Sequence, residues 1–169
     1  MATIIDAGGW KADSVARLKK RYGDVQIHSF EPNPRLESYY KTLTNHTLHK
    51  KAVWIKDEML AFYFGKREIG RSGSIIHGKK NTTENKVQVE AIDFDKWIRC
   101  TFTKDEKLIL KMDIEGAEYE VLQHMIDGGS IEYIDTLLVE WHWNRIPGGS
   151  LEKQLQLIKQ IKLPIALWA

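Results

Sequence analysis

The stretch from Thr3 to Ser14 constrains this chain more than any other. Thr3, Ile4 and Ile5 form a β-branched run that ends in Asp6; Gly8 and Gly9 follow, and a helical pattern begins near Asp13. Strand, glycine turn and helix make the first unit of a nucleotide-binding α/β fold. Glycine lets the backbone turn sharply and lets a ligand approach it, and a helix start offers free N–H groups. On this reading Gly8 and Gly9 floor a cofactor site and Asp6 anchors it. A glycine pair after a strand can equally be a plain tight turn, so the next strand matters. Residues 25–31 read as a strand ending in Glu31, about 23 residues beyond Gly8, where such folds place the carboxylate that takes two ribose hydroxyls.

The remaining pattern alternates strands and helices. A helix is expected at 13–22, capped by Asp13 or Ser14, with Val15, Leu18 and Tyr22 inward. A second is expected at 34–43, with Pro34 in its first turn, and a third strand at 47–53. Segments 58–65 and 86–92 alternate as a hairpin insertion. The polar stretch 66–85 between them is either a lid that orders over substrate or a solvated hairpin tip. A short helix follows 92–98. The run 107–112 reads as a buried strand ending at Asp113, then a helix from about Gly116 stopped by Gly128 and Gly129. A strand at 135–143 and a helix capped by Ser150, with Leu151, Leu155 and Ile158 inward, lead to a last strand at 163–169. The expected fold is a single domain over residues 1–169: one mostly parallel sheet with helices on both faces and a shortened set of C-terminal strands.

Composition excludes several classes. With 169 residues and a formal charge of +2, the chain lacks the basic excess of a nucleic-acid binder. No apolar run reaches membrane-spanning length and no leader is visible, so a cytoplasmic location is expected. A single cysteine, Cys100, rules out an internal disulfide and argues against a cysteine-rich zinc site.

Ligands of open α/β sheets bind beyond the carboxyl ends of the strands. Those ends carry Asp6, Glu31, Val53, Asp113 and Glu140, with His142 just beyond. Grouping several carboxylates is costly unless cations or donors accompany them, so a cationic cofactor or a metal ion would suit the place. A sulfonium or ammonium group also welcomes aromatic faces, and Trp10 is a candidate neighbour.

The segment Lys111-Met112-Asp113-Ile114-Glu115-Gly116-Ala117-Glu118 resembles the K-I-D-V-E-G-A-E motif of the FkbM family of S-adenosylmethionine-dependent methyltransferases. Ile5-Asp6-Ala7-Gly8, Phe30-Glu31-Pro32-Asn33-Pro34 and Val139-Glu140 match its other motifs in the same order, over residues 3–143. The resemblance implies a Rossmann-like fold and methyl transfer from S-adenosylmethionine, usually to a hydroxyl oxygen of a small molecule, sugar or glycolipid. It also implies roles. Asp6, Gly8 and Gly9 would hold the methionine end, and Glu31, with Asn33, the ribose. Ala52 and Val53 would pack the adenine, and Asp113 would stand by the ammonium and the transferring methyl. Two positions depart from the family pattern: Trp10 replaces an asparagine and Ala12 the last glycine of the first motif.

A hydroxyl acceptor must lose its proton. Asp113, Glu115 and His142 are the candidates, although His142 can be read as a strand-end polar residue, and Glu115 and Glu118 as helix-start acids. Magnesium held by Asp113, Glu140 and His142 is disfavoured, because that ion prefers oxygen; no metal is assigned. The competing readings are a nicotinamide-dependent oxidoreductase, which would need the missing G-x-G-x-x-G spacing, and a non-catalytic nucleoside-binding domain of the same fold.

Overall fold

A computed structural model describes residues 2–67 and 71–168. In chain order, β1 (Ala2–Ala7) leads to α1 (Asp13–Tyr22), β2 (Gln26–Phe30), a 3₁₀ segment (Pro34–Tyr40), β3 (His46–His49) and β4 (Ala52–Trp54). Strands β5 (Glu58–Gly65) and β6 (Thr82–Asp93) precede α2 (Phe94–Thr101), β7 (Lys107–Met112) and α3 (Glu118–Gly128). Strand β8 (Ile134–Val139), α4 (Leu151–Gln160) and β9 (Ile165–Leu167) complete the chain.

Six strands form one parallel sheet in the order β3-β2-β1-β7-β8-β9. The chain winds outward from β1 to β3 and then from β7 to β9 in the opposite direction, so the switch point lies between β1 and β7. This is the Rossmann-like architecture expected. Strand alternation divides the core. Ile5, Ala7, Leu108, Leu110, Met112, Leu137 and Val139 pack on the face covered by α2, α3 and α4. Ile4, Ile109 and Leu138 pack toward Val15 and Leu18 of α1. Burial on both faces explains the continuous apolar runs of β1, β7 and β8.

The hairpin insertion is a second sheet, β4-β6-β5, with β5 antiparallel to β6 and β4 parallel to it. The expected strand at 47–53 is therefore two strands in two sheets, parted at Lys50 and Lys51. The segment after Pro34 tightens into a 3₁₀ turn and stops at Tyr40. Helix α3 starts at Glu118, because Glu115 (φ 55°) and Gly116 (φ 113°) cannot continue a right-handed helix. Strand β8 ends at Val139, short of Trp143, where a 3₁₀ turn begins. Asp13 and Ser14 do not cap α1: its N-cap is Ala12, in a left-handed conformation and without a side-chain cap. In α4, Ser150 does cap the helix, accepting from Lys153 N–H. Leu151 and Leu155, however, are about half exposed, and Leu157 and Ile161 are the buried residues. The sequence offers two apolar stripes at helical spacing there, and packing selects the one through Leu157.

Candidate active site

Backbone bonds carry the ladders one residue past the strand tips. Glu31 N–H donates to His49 O (3.1 Å), Gly8 N–H to Phe30 O (3.0 Å), Asp113 N–H to Ala7 O (3.0 Å) and Glu140 N–H to Met112 O (3.0 Å). Glu31, Gly8, Asp113 and Glu140 thereby stand in one row across four neighbouring strands. All four line a single cavity of about 480 Å³, a size that fits a small ligand or cofactor. Of the residues expected at the site, Gly8, Gly9, Trp10, Glu31, Ala52, Val53, Asp113 and Glu115 line this cavity. Asp6, Asn33 and His142 are buried and do not line it.

The glycine turn is shaped by close packing. Gly8 has φ +85°, and a Cβ there would run into the carbonyl of Asp113, so the first turn and the β7 tip are in backbone contact. A Cβ on Gly9 would meet the Tyr40 hydroxyl, which donates to Trp10 O at 2.7 Å. Beneath the turn lies a polar row. Ser29, Asp6 and Lys111 are register neighbours on β2, β1 and β7 and share the α1 face by strand periodicity. Asp6 Oδ2 accepts from the Ser14 (2.6 Å) and Ser29 (3.1 Å) hydroxyls, and Asp6 Oδ1 lies 3.2 Å from Lys111 Nζ. Lys111 donates to Gly8 O at 2.6 Å and reaches within 3.7 Å of Asp113. Asp6 thus fixes the turn from below rather than facing the cavity.

Glu31 is held by the same loops. Its Oε2 accepts from Trp10 N–H (2.9 Å) and its Oε1 from Asn33 N–H (2.8 Å). Burial outweighs these two donors and pushes its carboxyl up to about 7. Asn33 Oδ1 accepts from Arg35 N–H, which leaves Nδ2 as a buried donor without a partner among the described residues.

On the other side of Gly8, His142 sits within a ring of acids. Its Nδ1 lies 2.9 Å from Glu118, and its Nε2 lies 3.4 Å from Glu115, 3.4 Å from Glu140 and 3.9 Å from Asp113. Burial alone would lower the His142 pKa, but hydrogen bonds to Glu118 and Glu140 and the surrounding charge raise it to about 10. An imidazolium has no lone pair to accept a proton, so the general-base role expected of His142 does not fit its surroundings. Glu118 is the helix-start acid of α3 and also staples the loop before it: it accepts from Ile114 N–H (3.0 Å) and Gly116 N–H (2.9 Å) and holds His142. Asp113 remains partly open to the cavity. Burial, against the pull of Lys111, raises it to about 6, which suits a base working near neutral pH. Asp113, Glu115 and His142 also bring ligand atoms within 4.8 Å of one another; a cation there would have to displace the His142 proton. The cluster of Asp93, Asp95 and His124 lies elsewhere and is structural: Asp93 caps α2, and Asp95 is held by Arg99 and Ser130.

Residues 68–70 of the 66–85 stretch lie outside the described residues; the remainder packs over the strand tips rather than standing free as a solvated tip. It roofs the cavity with Arg67, Arg71, Ser72, Ser74 and Asn81. Ser74 donates to Glu115 O (2.8 Å), buried Lys79 lies 2.7 Å from Glu115, and Lys80 N–H donates to Arg145 O (2.7 Å). Lys111 and Trp168, which lines the cavity one residue past β9, were not expected there; Glu118 was expected only as a helix-start acid, and the roof residues only as part of a lid or a solvated tip. The inward parity of Lys111 within a buried strand, two residues before Asp113, was the signal that could have found it.

Among the described residues no helix is long and apolar enough to cross a membrane. No curated protein and no solved structure gives a significant match to the chain. The family described as the methyltransferase FkbM domain matches residues 6–160, which takes in the cavity-lining tips of β1, β2, β7 and β8 and sets the oxidoreductase reading aside. The chain belongs to the FkbM methyltransferase family.

Proposed function

We propose that the protein transfers a methyl group from S-adenosylmethionine to a hydroxyl oxygen of a small molecule. The observation that carries this reading is that Glu31 and Asp113 line one cavity on either side of the Gly8 turn. The residues fit the donor. Glu31 is a buried carboxylate whose two oxygens are aimed by Trp10 and Asn33 N–H groups yet retain lone pairs for a vicinal diol. Ala52 and Val53 offer an apolar wall. Asp113, Glu115 and Glu140 gather negative charge, which suits a cationic ligand.

When bound, S-adenosylmethionine supplies an electrophilic methyl carbon on a sulfonium. The chain's part is alignment and proton handling. Asp113, ionised above about pH 6, accepts the hydroxyl proton as the new C–O bond forms. His142, protonated, orders Glu118 and Glu140. Lys111 fixes Asp6, the Gly8 carbonyl and Asp113 relative to one another. The docked insertion covers the strand tips and limits water.

Calorimetric titration with S-adenosylmethionine, S-adenosylhomocysteine and NAD tests the reading. Micromolar affinity for the first two and none for NAD is expected. NAD binding, or no binding of either adenosyl compound, would overturn it.

A further inference from the structure

The cavity wall carries Asp113, Glu115 and Glu140 at and beside the strand tips and Arg67 and Arg71 on the insertion, with Arg17, Lys111 and Arg145 also on the lining. These two arginines face each other across an antiparallel bridge. Directly opposed residues of such a pair project to the same side, where like charges repel. Neither guanidinium is paired with a carboxylate among the described residues, and both border the cavity. Arg71 also lies 5.5 Å from the Trp10 ring, so it overhangs the glycine turn. Ser72 and Asn81 add neutral hydrogen-bonding groups beside them. Two guanidinium forks projecting to one side of the bridge suit an oxyanion, which relieves their repulsion and is repelled by Asp113, Glu115 and Glu140.

We infer that Arg67 and Arg71 form an anion seat for the acceptor, which is therefore a hydroxylated compound bearing a carboxylate or a phosphate. The seat holds the anion at the roof and turns the hydroxyl down toward Asp113. This rests on the methyl-transfer reading above. The other source of an oxyanion is the carboxylate of the cofactor's own methionine end, and the test separates the two.

Inorganic phosphate is titrated at constant ionic strength into protein saturated with S-adenosylhomocysteine, for wild type, R71Q and R67Q/R71Q. Both side chains are exposed, so the variants should fold, as a thermal melt would verify. The seat predicts saturable phosphate binding to wild type, weakened about tenfold or more in the double variant, with S-adenosylhomocysteine affinity kept within about threefold. Phosphate binding that is equal in all three proteins, or missing from wild type, overturns the seat. A tenfold loss of S-adenosylhomocysteine affinity in the double variant assigns the arginines to the cofactor and also overturns it. If wild type fails to bind S-adenosylhomocysteine, the donor reading fails, while phosphate titrated into the protein alone still decides the seat.

Discussion

Glu31 makes the cofactor site a proton-linked one, and the linkage has a calculable size. Burial raises its carboxyl from 4.5 to about 7. Ribose hydroxyls donating to it would favour the ionised form and bring its pKa down in the complex. Binding then requires a proton to leave whenever the free protein holds one. A group whose pKa falls on binding contributes affinity that is complete above its free-state pKa and is lost as pH falls through it. With the free value near 7, the ionised fraction drops from about nine-tenths at pH 8 to about one-tenth at pH 6, so affinity should fall about tenfold, or about 1.4 kcal/mol. Titration of S-adenosylhomocysteine in buffers of different ionisation enthalpy should register nearly one proton released per ligand at pH 6 and almost none at pH 8. Glu31→Gln should bind about 10- to 100-fold more weakly, since one oxygen is replaced by a donor facing a backbone N–H, and its affinity should be flat over this range. The same shift has the opposite face in stability. The folded protein holds a proton between pH 4.5 and 7 that the unfolded chain has lost, so ligand-free stability should fall across that window, by up to about 3 kcal/mol. Affinity that stays level from pH 8 to pH 6 in the wild type, with no proton release, would refute the linkage.

Three further outcomes follow from the same geometry. Asp113→Asn should lower methyl transfer about 10²- to 10⁴-fold while the melting curve stays close to wild type, and the wild-type rate should decline below about pH 6 as this carboxyl protonates; a rate that is level down to pH 5 would remove Asp113 as the base. Lys111→Met leaves Asp6 buried without its cation, and denaturant unfolding should register a loss of about 3–5 kcal/mol; an unchanged midpoint would contradict the ion row beneath the glycine turn. Lys79→Met removes the buried ammonium that ties the insertion to Glu115, so limited proteolysis within residues 66–85 should accelerate; equal cleavage rates would mean that the Ser74 and Lys80 bonds suffice to hold the roof.

The sheet was legible because burial on both faces gives β1, β7 and β8 continuous apolar runs, and because the tips of β1, β2, β7 and β8 each run into an acid or a glycine. Glu31 was legible for the same reason: two prolines force the chain out of the strand directly after it. What sequence could not carry was which tip residues look into the cavity and which look beneath it. Asp6 and Glu31 read alike as strand-end acids. Asp6 is still inside the ladder, on the α1 face in line with Ser29 and Lys111, whereas Glu31 lies one residue past β2, where the chain has left the sheet. His142 misled for a different reason. Its ordinary pKa suggested a base, but its surroundings raise that pKa: Glu140 stands two residues before it, and Glu115 and Glu118 are brought to it from one other segment of chain. The roof was legible only as a choice between a lid and a solvated tip, because its polar composition matches either and the contacts that dock it are to backbone atoms and to Glu115.

The departures at the first motif bear on how that turn is specified. Trp10 and Ala12 stand where the resembled pattern has asparagine and glycine, the two residues that most readily adopt left-handed backbone. Both nonetheless do so here, at φ 46° and φ 64°, at about 1–2 kcal/mol each. The conformation is imposed from outside. Glu31 accepts from Trp10 N–H, the Tyr40 hydroxyl donates to Trp10 O, and Ala12 N–H donates to Gly9 O. The path of the turn therefore belongs to Asp6, Glu31, Tyr40 and the Gly8 contact with Asp113, and the side chains at positions 10 and 12 are free to change without moving it. Trp10 uses that freedom: its ring lines the cavity with Lys11 Nζ 4.8 Å and Arg71 5.5 Å from its centroid. The substitution leaves the cradle's backbone in place and sets an aromatic face, flanked by cations, between the glycine floor and the arginine roof.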